Sequence, residues 1–319
     1  MAARPASAWE IRFMSDIAPI LHIVSPLRHV SPFDVNMAVD AGYTTILPYQ
    51  NVKLEEMMDL TQDMMFSRPP SHASRTGLFI GGKDASLALD MAKEARAALF
   101  APFEISIFVD PAGSFTTAAA MIAEVEKKLR AKRPEGMKGA SVQVYGATGV
   151  VGGIAAVIAA QAGANVTLVS HRDVETVQLK AADFKVRFGV DLASAAARND
   201  DEKRTLLPHA EVVLACGKAG VQILTAEHLA GAGRLAVAAD VNAVPPSGIA
   251  GVDALDDGKP LSGGALGIGA LAIGHLKYRV QHELLKRMRS TETALTIGFE
   301  DAFALARTLS GSLAGQGGS

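Results

Sequence analysis

The chain has 319 residues, 49% hydrophobic, 20% charged and 5% aromatic, with 31 Lys and Arg against 33 Asp and Glu for a formal charge of −2. That composition excludes a disordered chain, and so balanced a charge supplies no broad basic field to hold a nucleic acid or an anionic membrane; the expected partner is a small molecule. One cysteine, Cys216, cannot make an internal disulfide, and no run of about 18 uncharged apolar residues is present to span a bilayer, which fits the cytoplasm.

The length suits two domains. Residues 1–13 lack the apolar stretch of a signal peptide and read as a loose N-terminal extension. From Met14, apolar runs at 20–24, 44–47, 78–80 and 105–109 read as strands, with helix-period segments at 32–41, 54–65, 84–100 and 116–132 between them. The alternation predicts a mainly parallel sheet with helices on both faces, an α/β domain over 14–132. Charges, Pro134 and two glycines make 132–139 a linker. A Rossmann-type domain is expected over 133–265, with strands at 141–145, 166–170, 190–193, 212–215 and 235–241. Residues 266–319 are expected to cross back to the first domain as helices, one reaching about Arg289 and the last covering 299–309.

The segment Ser141-Val-Gln-Val-Tyr-Gly146-Ala-Thr148-Gly149-Val150-Val151-Gly152-Gly153 reads as strand, glycine turn and apolar helix. Glycines let the backbone approach a pyrophosphate, and the helix N-terminus offers free N–H groups and partial positive charge. Its G-x-x-G-x-x-G spacing departs from the more frequent G-x-G-x-x-G, so the order of elements carries the dinucleotide reading. The next strand ends at Ser170-His171-Arg172, with no carboxylate to grip a ribose 2′-hydroxyl. Ser170 can bond a hydroxyl or a phosphate and Arg172 can pair a 2′-phosphate, which favours NADP and leaves NAD open; Arg172 as a solvated charge is the alternative. Cys216 and Gly217, after the fourth strand, can approach the nicotinamide half, Cys216 as a packing residue with no chemistry of its own.

Other residues have two readings each. Asp34, three residues after Ser31 with Pro32 between, fits half of a capping box or a functional carboxylate. Asp110 ends an apolar strand, where parallel sheets hold ligands and where a turn also wants Asp. Thr116 and Thr117 can donate to a polar ring or start a helix, Asp84 caps the next helix, and Asp240 and Asn242 end a strand before Pro245-Pro246. Tyr49 and Lys53 match a Y-x-x-x-K pair, but Tyr49 falls at a strand exit, so the two do not share a helix face. Lys277 differs. At about 100° per residue it projects inside an arc of roughly 120° formed by Ile273, Leu276, Val280, Leu284 and Met288, so it faces a core or cleft unless it snorkels. A buried ammonium needs a carboxylate or a ligand's polar edge, and Asp34 is the first partner to test. The scattered histidines give no metal-ligand spacing.

Five segments in order give the chain a resemblance to the methylene-tetrahydromethanopterin dehydrogenases of formaldehyde-oxidising bacteria: Ser31-Pro-Phe-Asp34-Val-Asn-Met, Gly81-Gly-Lys-Asp84, Asp110-Pro-Ala-Gly113-Ser114-Phe-Thr116-Thr117, Asp240-Val-Asn242-Ala-Val-Pro-Pro, and Gly264-Ala-Leu-Gly-Ile-Gly269 running on to Leu276-Lys277. The resemblance covers nearly everything from Met14. It implies that the first domain binds the pterin and the second NADP or NAD, with no metal or flavin, and that the protein is a homo-oligomer, with the trimer as its suggested building block. It also implies pterin contacts at Asp110, Gly113, Ser114, Thr116, Thr117, Asp240 and Asn242. Asp34 would stabilise the cation that hydride loss leaves behind, and Lys277 would orient Asp34 or a pterin carbonyl. A dehydrogenase of folate or of an amino or hydroxy acid, and a non-catalytic NADP sensor, are the competing readings.

Overall fold

The computed structural model describes residues 17–311, so the expected extension over 1–13 lies outside the described residues. The chain is α/β and forms two compact units, one ending at Ala112 and regaining His282–Gly298, the other made of Gly113–Gln281 and the chain from Phe299.

In the first unit β1 (Ile20–Val24), β2 (Thr45–Tyr49), β3 (Thr76–Ile80) and β4 (Ser106–Val109) lie in the order β4-β3-β1-β2, with the two-residue strand Thr296–Ile297 beyond β4 and every pairing parallel. The central strands are buried almost throughout, as strands covered on both faces must be. β2 is partly exposed at the edge, where Pro48 removes no ladder bond that a central strand would need. Helices Pro32–Asp40, Met57–Phe66 and Ala85–Ala98 complete the βα repeat. The last starts as expected, with Leu87 N–H donating to the Asp84 carboxylate at 3.0 Å.

The second unit holds β5 (Ser141–Tyr145), β6 (Asn165–Ser170), β7 (Ala193–Ala196), β8 (Val212–Ala215), β9 (Val237–Asp240), β10 (Asp257–Pro260) and β11 (Leu266–Ile268) in the order β10-β11-β9-β8-β5-β6-β7, with only β10 antiparallel. Counted from β5, the parallel strands run 3-2-1-4-5-6 from β7 to β11, the doubly wound order whose direction reverses between β5 and β8. A ligand crevice belongs at the carboxyl ends of those two strands. Helices Ser114–Arg130, Val150–Gln161 and Phe299–Ser310 pack on one another in this unit. Small residues permit that closeness: Ala118, Ala119, Ala120 and Ala123 of the first and Gly152 through Ala159 of the second are buried.

Most predicted strands agree with the structure to within a residue or two. The third strand of the second unit does not: it covers Ala193–Ala196 and not 190–193. The helix Val174–Phe188 ends on Gly189 in the left-handed conformation, and 190–192 are spent reaching the sheet. The strand itself is Ala and Ser, with no β-branched side chain to signal it. The compact units also divide at Ala112, ahead of the expected linker, so Ser114–Arg130 groups with the helices it packs against.

Inside this helix layer Glu126, 1% exposed, accepts from Arg307 Nε at 2.7 Å and Nη2 at 3.0 Å, and from Arg130 Nη2 at 3.0 Å. A carboxylate so buried is tolerable only with its charge matched. Glu126→Ala removes the carboxylate that both guanidinium groups share and is expected to cost about 3 kcal/mol in urea unfolding, whereas Arg307→Ala, which leaves Arg130 in place, costs less.

Candidate functional site

The chain turns at the end of β5, beside the end of β8. Gly146 has φ 82°, and a Cβ there would stand 2.4 Å from the Cys216 carbonyl oxygen and 2.7 Å from the Gly217 nitrogen. On Gly152 a Cβ would stand 2.5 Å from the Gly146 oxygen, and on Gly153 it would meet Phe184 Cζ at 2.9 Å. These three glycines are therefore required by packing. Gly149 is not: its φ is −75°, and its Cβ would meet only the Gly146 oxygen, at 3.3 Å, and the Cys216 oxygen, at 3.9 Å. Thr148 and Gly149 are exposed, and no side chain caps the helix Val150–Gln161, whose first residues Val150 and Val151 are partly buried. The first-turn amides and the exposed glycine suit an anionic pyrophosphate.

A cavity of about 460 Å³ adjoins this turn, lined by Gly146, Thr148 and Gly149, by His171 after β6, by Ala197 and Lys203 after β7, and by Cys216, Gly217, Lys218 and Ile223 after β8. It joins the glycine turn to the His171 and Cys216–Gly217 positions, as a dinucleotide lying across the switch point requires. Ser170 is buried, and its Oγ accepts from Arg172 N–H at 3.1 Å; the Arg172 side chain is exposed. Burial, and after it the Asp240 carboxylate, push the Cys216 thiol up to about 12, so the sulfur stays protonated and serves as wall. Lys203, Lys218 and Ile223 escaped the sequence reading. Lys218 directly follows Gly217, a signal that was available; Lys203 sits on the short helix Asp200–Leu206, which has no periodicity to announce it.

Lys277 is buried in the stripe predicted for it, with Ile273, Leu276, Val280, Leu284 and Met288. Its Nζ donates to the buried Gln281 Oε1 at 2.5 Å and would lie 2.9 Å from a Cβ on Gly113. Gln281, four residues on along the same helix face, was therefore legible and missed. Gly113, at φ 62°, begins the helix Ser114–Arg130, and Ser114 is buried beside it. Thr116 and Thr117 donate their hydroxyls to the Gly113 carbonyl at 3.2 and 2.6 Å, so the helix-starting reading describes their donors.

Asp240 and Asn242 also act on backbone. Asp240 accepts from Asn242 N–H at 2.9 Å and Ile249 N–H at 3.0 Å; burial nonetheless raises its carboxyl above the ordinary range. Asn242 accepts from the N–H groups of Gly220 and Val244 at 3.2 and 3.0 Å and donates to the Pro246 carbonyl at 2.8 Å. The pair fixes the loops that leave β8 and β9.

In the first unit Asp34 is buried, and Ser31 makes no side-chain capping bond, so a full capping box is not formed. A Cβ on Gly81 would stand 3.6 Å from the Val24 carbonyl oxygen and 3.9 Å from Asp34 Oδ2, which puts the carboxylate over the carboxyl ends of β1 and β3. Asp110 is fully buried at the end of neighbouring β4. Tyr49 stays in β2, its hydroxyl 3.1 Å from His22 Nδ1, away from any helix face shared with Lys53. Among the described residues no three His, Cys, Asp or Glu side chains gather to hold a metal, and no helix is long and apolar enough to cross a membrane.

The family model described as methylene-tetrahydromethanopterin dehydrogenase, N-terminal, matches residues 32–112. The chain is 48% identical over 293 residues to the NAD(P)-dependent methylenetetrahydromethanopterin dehydrogenase of Methylorubrum extorquens, a match covering 92% of this chain and 99% of that one. It is 30% identical over 279 residues to the bifunctional protein MdtA of the same organism, covering 88% and 94%. Among solved structures, shikimate 5-dehydrogenase from Listeria monocytogenes, in complex with shikimate and NAD, matches with a TM-score of 0.53 at 12% identity over 91% of this chain and 94% of that one. Ornithine carbamoyltransferase from Pyrococcus furiosus matches at 0.50 and 10% identity over 86% of each. At those identities the two structures show the fold alone.

The glycines of the turn make separable predictions. Gly149→Val, which meets little protein, should melt within a few degrees of wild type yet lose affinity for a dinucleotide by about a hundredfold, some 2.7 kcal/mol, in calorimetric titration. Gly146→Ala should instead lower the melting temperature, because it forces a side chain against β8 at positive φ at a cost of about 2 kcal/mol or more.

Proposed function

The chain belongs to the methylene-tetrahydromethanopterin dehydrogenase family, and from that premise we propose how its own residues carry the reaction. It is an NAD(P)-dependent oxidoreductase of one-carbon metabolism that transfers a hydride from methylene-tetrahydromethanopterin to NAD(P)+, leaving the methenyl form. The observation that carries the residue assignment is the glycine turn at the reversal between β5 and β8, opening on a cavity that reaches His171 after β6, Lys203 after β7 and Gly217 after β8.

The nicotinamide ring, when bound, supplies the hydride acceptor. The chain need not move a proton, since the methylene carbon loses hydride alone and two pterin nitrogens share the charge left behind. Its tasks are to bind, orient and exclude water. In this reading Gly146, Thr148, Gly149, Val150, Val151 and Gly152 hold the pyrophosphate. Ser170, His171 and Arg172 meet the adenosine ribose, and Cys216 and Gly217 wall the nicotinamide half. Asp34 places a fixed negative charge toward the developing cation, and Lys277, aimed by Gln281, holds a polar edge of the pterin. Asp110, Gly113 and Ser114 complete the pterin contacts. Thr116 and Thr117, with donors engaged, contribute acceptors, while Asp240 and Asn242 support by fixing loops. The substrate assignment and the near-neutral charge support a cytoplasmic setting in formaldehyde oxidation, and we propose a homo-oligomer, which light scattering would report as a multiple of the chain mass.

Formation of NAD(P)H from methylene-tetrahydromethanopterin, set beside methylene-tetrahydrofolate, tests the reaction. Turnover with the first well above the second is expected; turnover with folate alone would overturn the assignment. Lys277→Met tests the assigned role, keeping the stem and removing the charge. A snorkelling lysine would leave turnover at wild type. The orienting role predicts normal cofactor affinity and melting temperature with at least about a tenfold fall in rate, equivalent to 1.4 kcal/mol.

A further inference from the structure

We propose that Lys203 is the cation that receives the 2′-phosphate of NADP and that Asp200 tempers it, so that this pair sets the balance between NADP and NAD. The inference rests on the dinucleotide reading above and concerns its adenosine end. In the doubly wound order the end of the second strand meets the adenosine ribose. That strand is β6, and His171, which follows it, lines the cavity together with Ala197 and Lys203.

Nothing anionic guards that position from β6 itself. Ser170 Oγ is engaged by Arg172 N–H. The next carboxylate, Asp173, is turned to its own helix, accepting from Thr176 N at 2.8 Å and Thr176 Oγ1 at 2.6 Å. A phosphate entering there meets no carboxylate aimed at it from the strand end. Among cations, Arg172 is exposed and does not line the cavity, and Lys218 lines it from the end of β8, across β5 from β6; the Lys203 side chain lines it from beyond β7 and is only 19% exposed, so solvent and salt screen it less.

Among the described residues Lys203 has one counterion, at a distance. Its Nζ lies 3.5 Å from Asp200 Oδ1, and the Asp200 side chain is 60% exposed, the geometry of a weak ion pair. The same oxygen stands 3.3 Å from Nε2 of His228, whose Nδ1 accepts the Thr225 N–H at 3.1 Å and so leaves Nε2 as the protonated nitrogen. That approach makes no hydrogen bond, so Asp200, largely exposed, turns to solvent when the lysine turns to a phosphate. Its charge lowers the positive potential a 2′-phosphate would see and costs an unphosphorylated ribose little. A lysine acting alone would favour NADP strongly; a tempered one accepts both.

The test titrates the full-length protein calorimetrically with 2′-phospho-ADP-ribose and with ADP-ribose, which differ only in the phosphate, and records melting temperature on each sample. Lys203→Gln should weaken the phosphorylated ligand about tenfold and leave ADP-ribose within about twofold, with Lys203→Arg retaining most of the affinity. Asp200→Asn should move the other way, tightening the phosphorylated ligand about two- to threefold. Equal losses for both ligands in Lys203→Gln, or no loss, overturn the role of the lysine while the dinucleotide site stands. An unchanged ratio in Asp200→Asn overturns the tempering. Wild-type protein that binds neither ligand overturns the dinucleotide reading and this inference with it.

Discussion

The contact of the Gly146 turn with the peptide joining Cys216 to Gly217 is the constraint on which the second unit depends. A Cβ at Gly146 would come 2.4 Å from the Cys216 oxygen, so β5 and β8 can end side by side only because that atom is missing. Gly152 extends the same economy of volume by letting the first turn of the helix rest on the Gly146 carbonyl. The helix then starts directly above the reversal of strand order, and its uncapped amides point where the strands stop. Geometry and electrostatics at this point have one origin.

Much of this was legible before any coordinates. A strand, a glycine turn and an all-apolar helix state their order in sequence, and the strands at 20–24, 141–145 and 212–215 coincide with the observed ones because apolar runs are what a doubly covered sheet requires. The placement of Lys277 followed from helical period alone. What failed to show were elements whose signals are chemical silence. Ala193–Ala196 has no branched residue, and β10 and β11 are short pieces among glycines and charges, held by pairing that only the assembled sheet provides. Asp34 shows the limit in another form: its spacing from Ser31 suits a capping box, yet the side chain is drawn into the interior over β1 and β3.

Buried charge is handled in three ways. Glu126 is matched by two guanidinium groups and binds helices together. Asp240 is matched by backbone N–H groups alone; burial outweighs them and raises its carboxyl, while the loop it organises stays tied to β9. Lys277 donates to the Gln281 amide oxygen and packs against the Gly113 turn. Its ammonium occupies the space a side chain at Gly113 would fill, and Gly113 also holds a φ of 62°, so position 113 is specified twice over. The same glycine's carbonyl receives both threonine hydroxyls, which ties the start of the helix to the place where the lysine sits.

The division of labour in the second unit follows from what backbone and side chains can each distinguish. In the proposed site, amides and glycines at the Gly146–Gly152 turn would meet a pyrophosphate, a group that NAD and NADP share, and so could not choose between them. Choice requires a group that meets the ribose 2′ position. An acidic residue at the end of β6 would exclude the phosphate by repulsion, and an unopposed cation would demand it. At that end Ser170 has its oxygen engaged by the backbone and Asp173 is held by Thr176. On the proposed reading the discriminating charge is displaced from the strand end to residues that flank it, where attraction and repulsion can be set against each other without disturbing the turn. Acceptance of both cofactors is then a property of side chains on a frame indifferent to the choice.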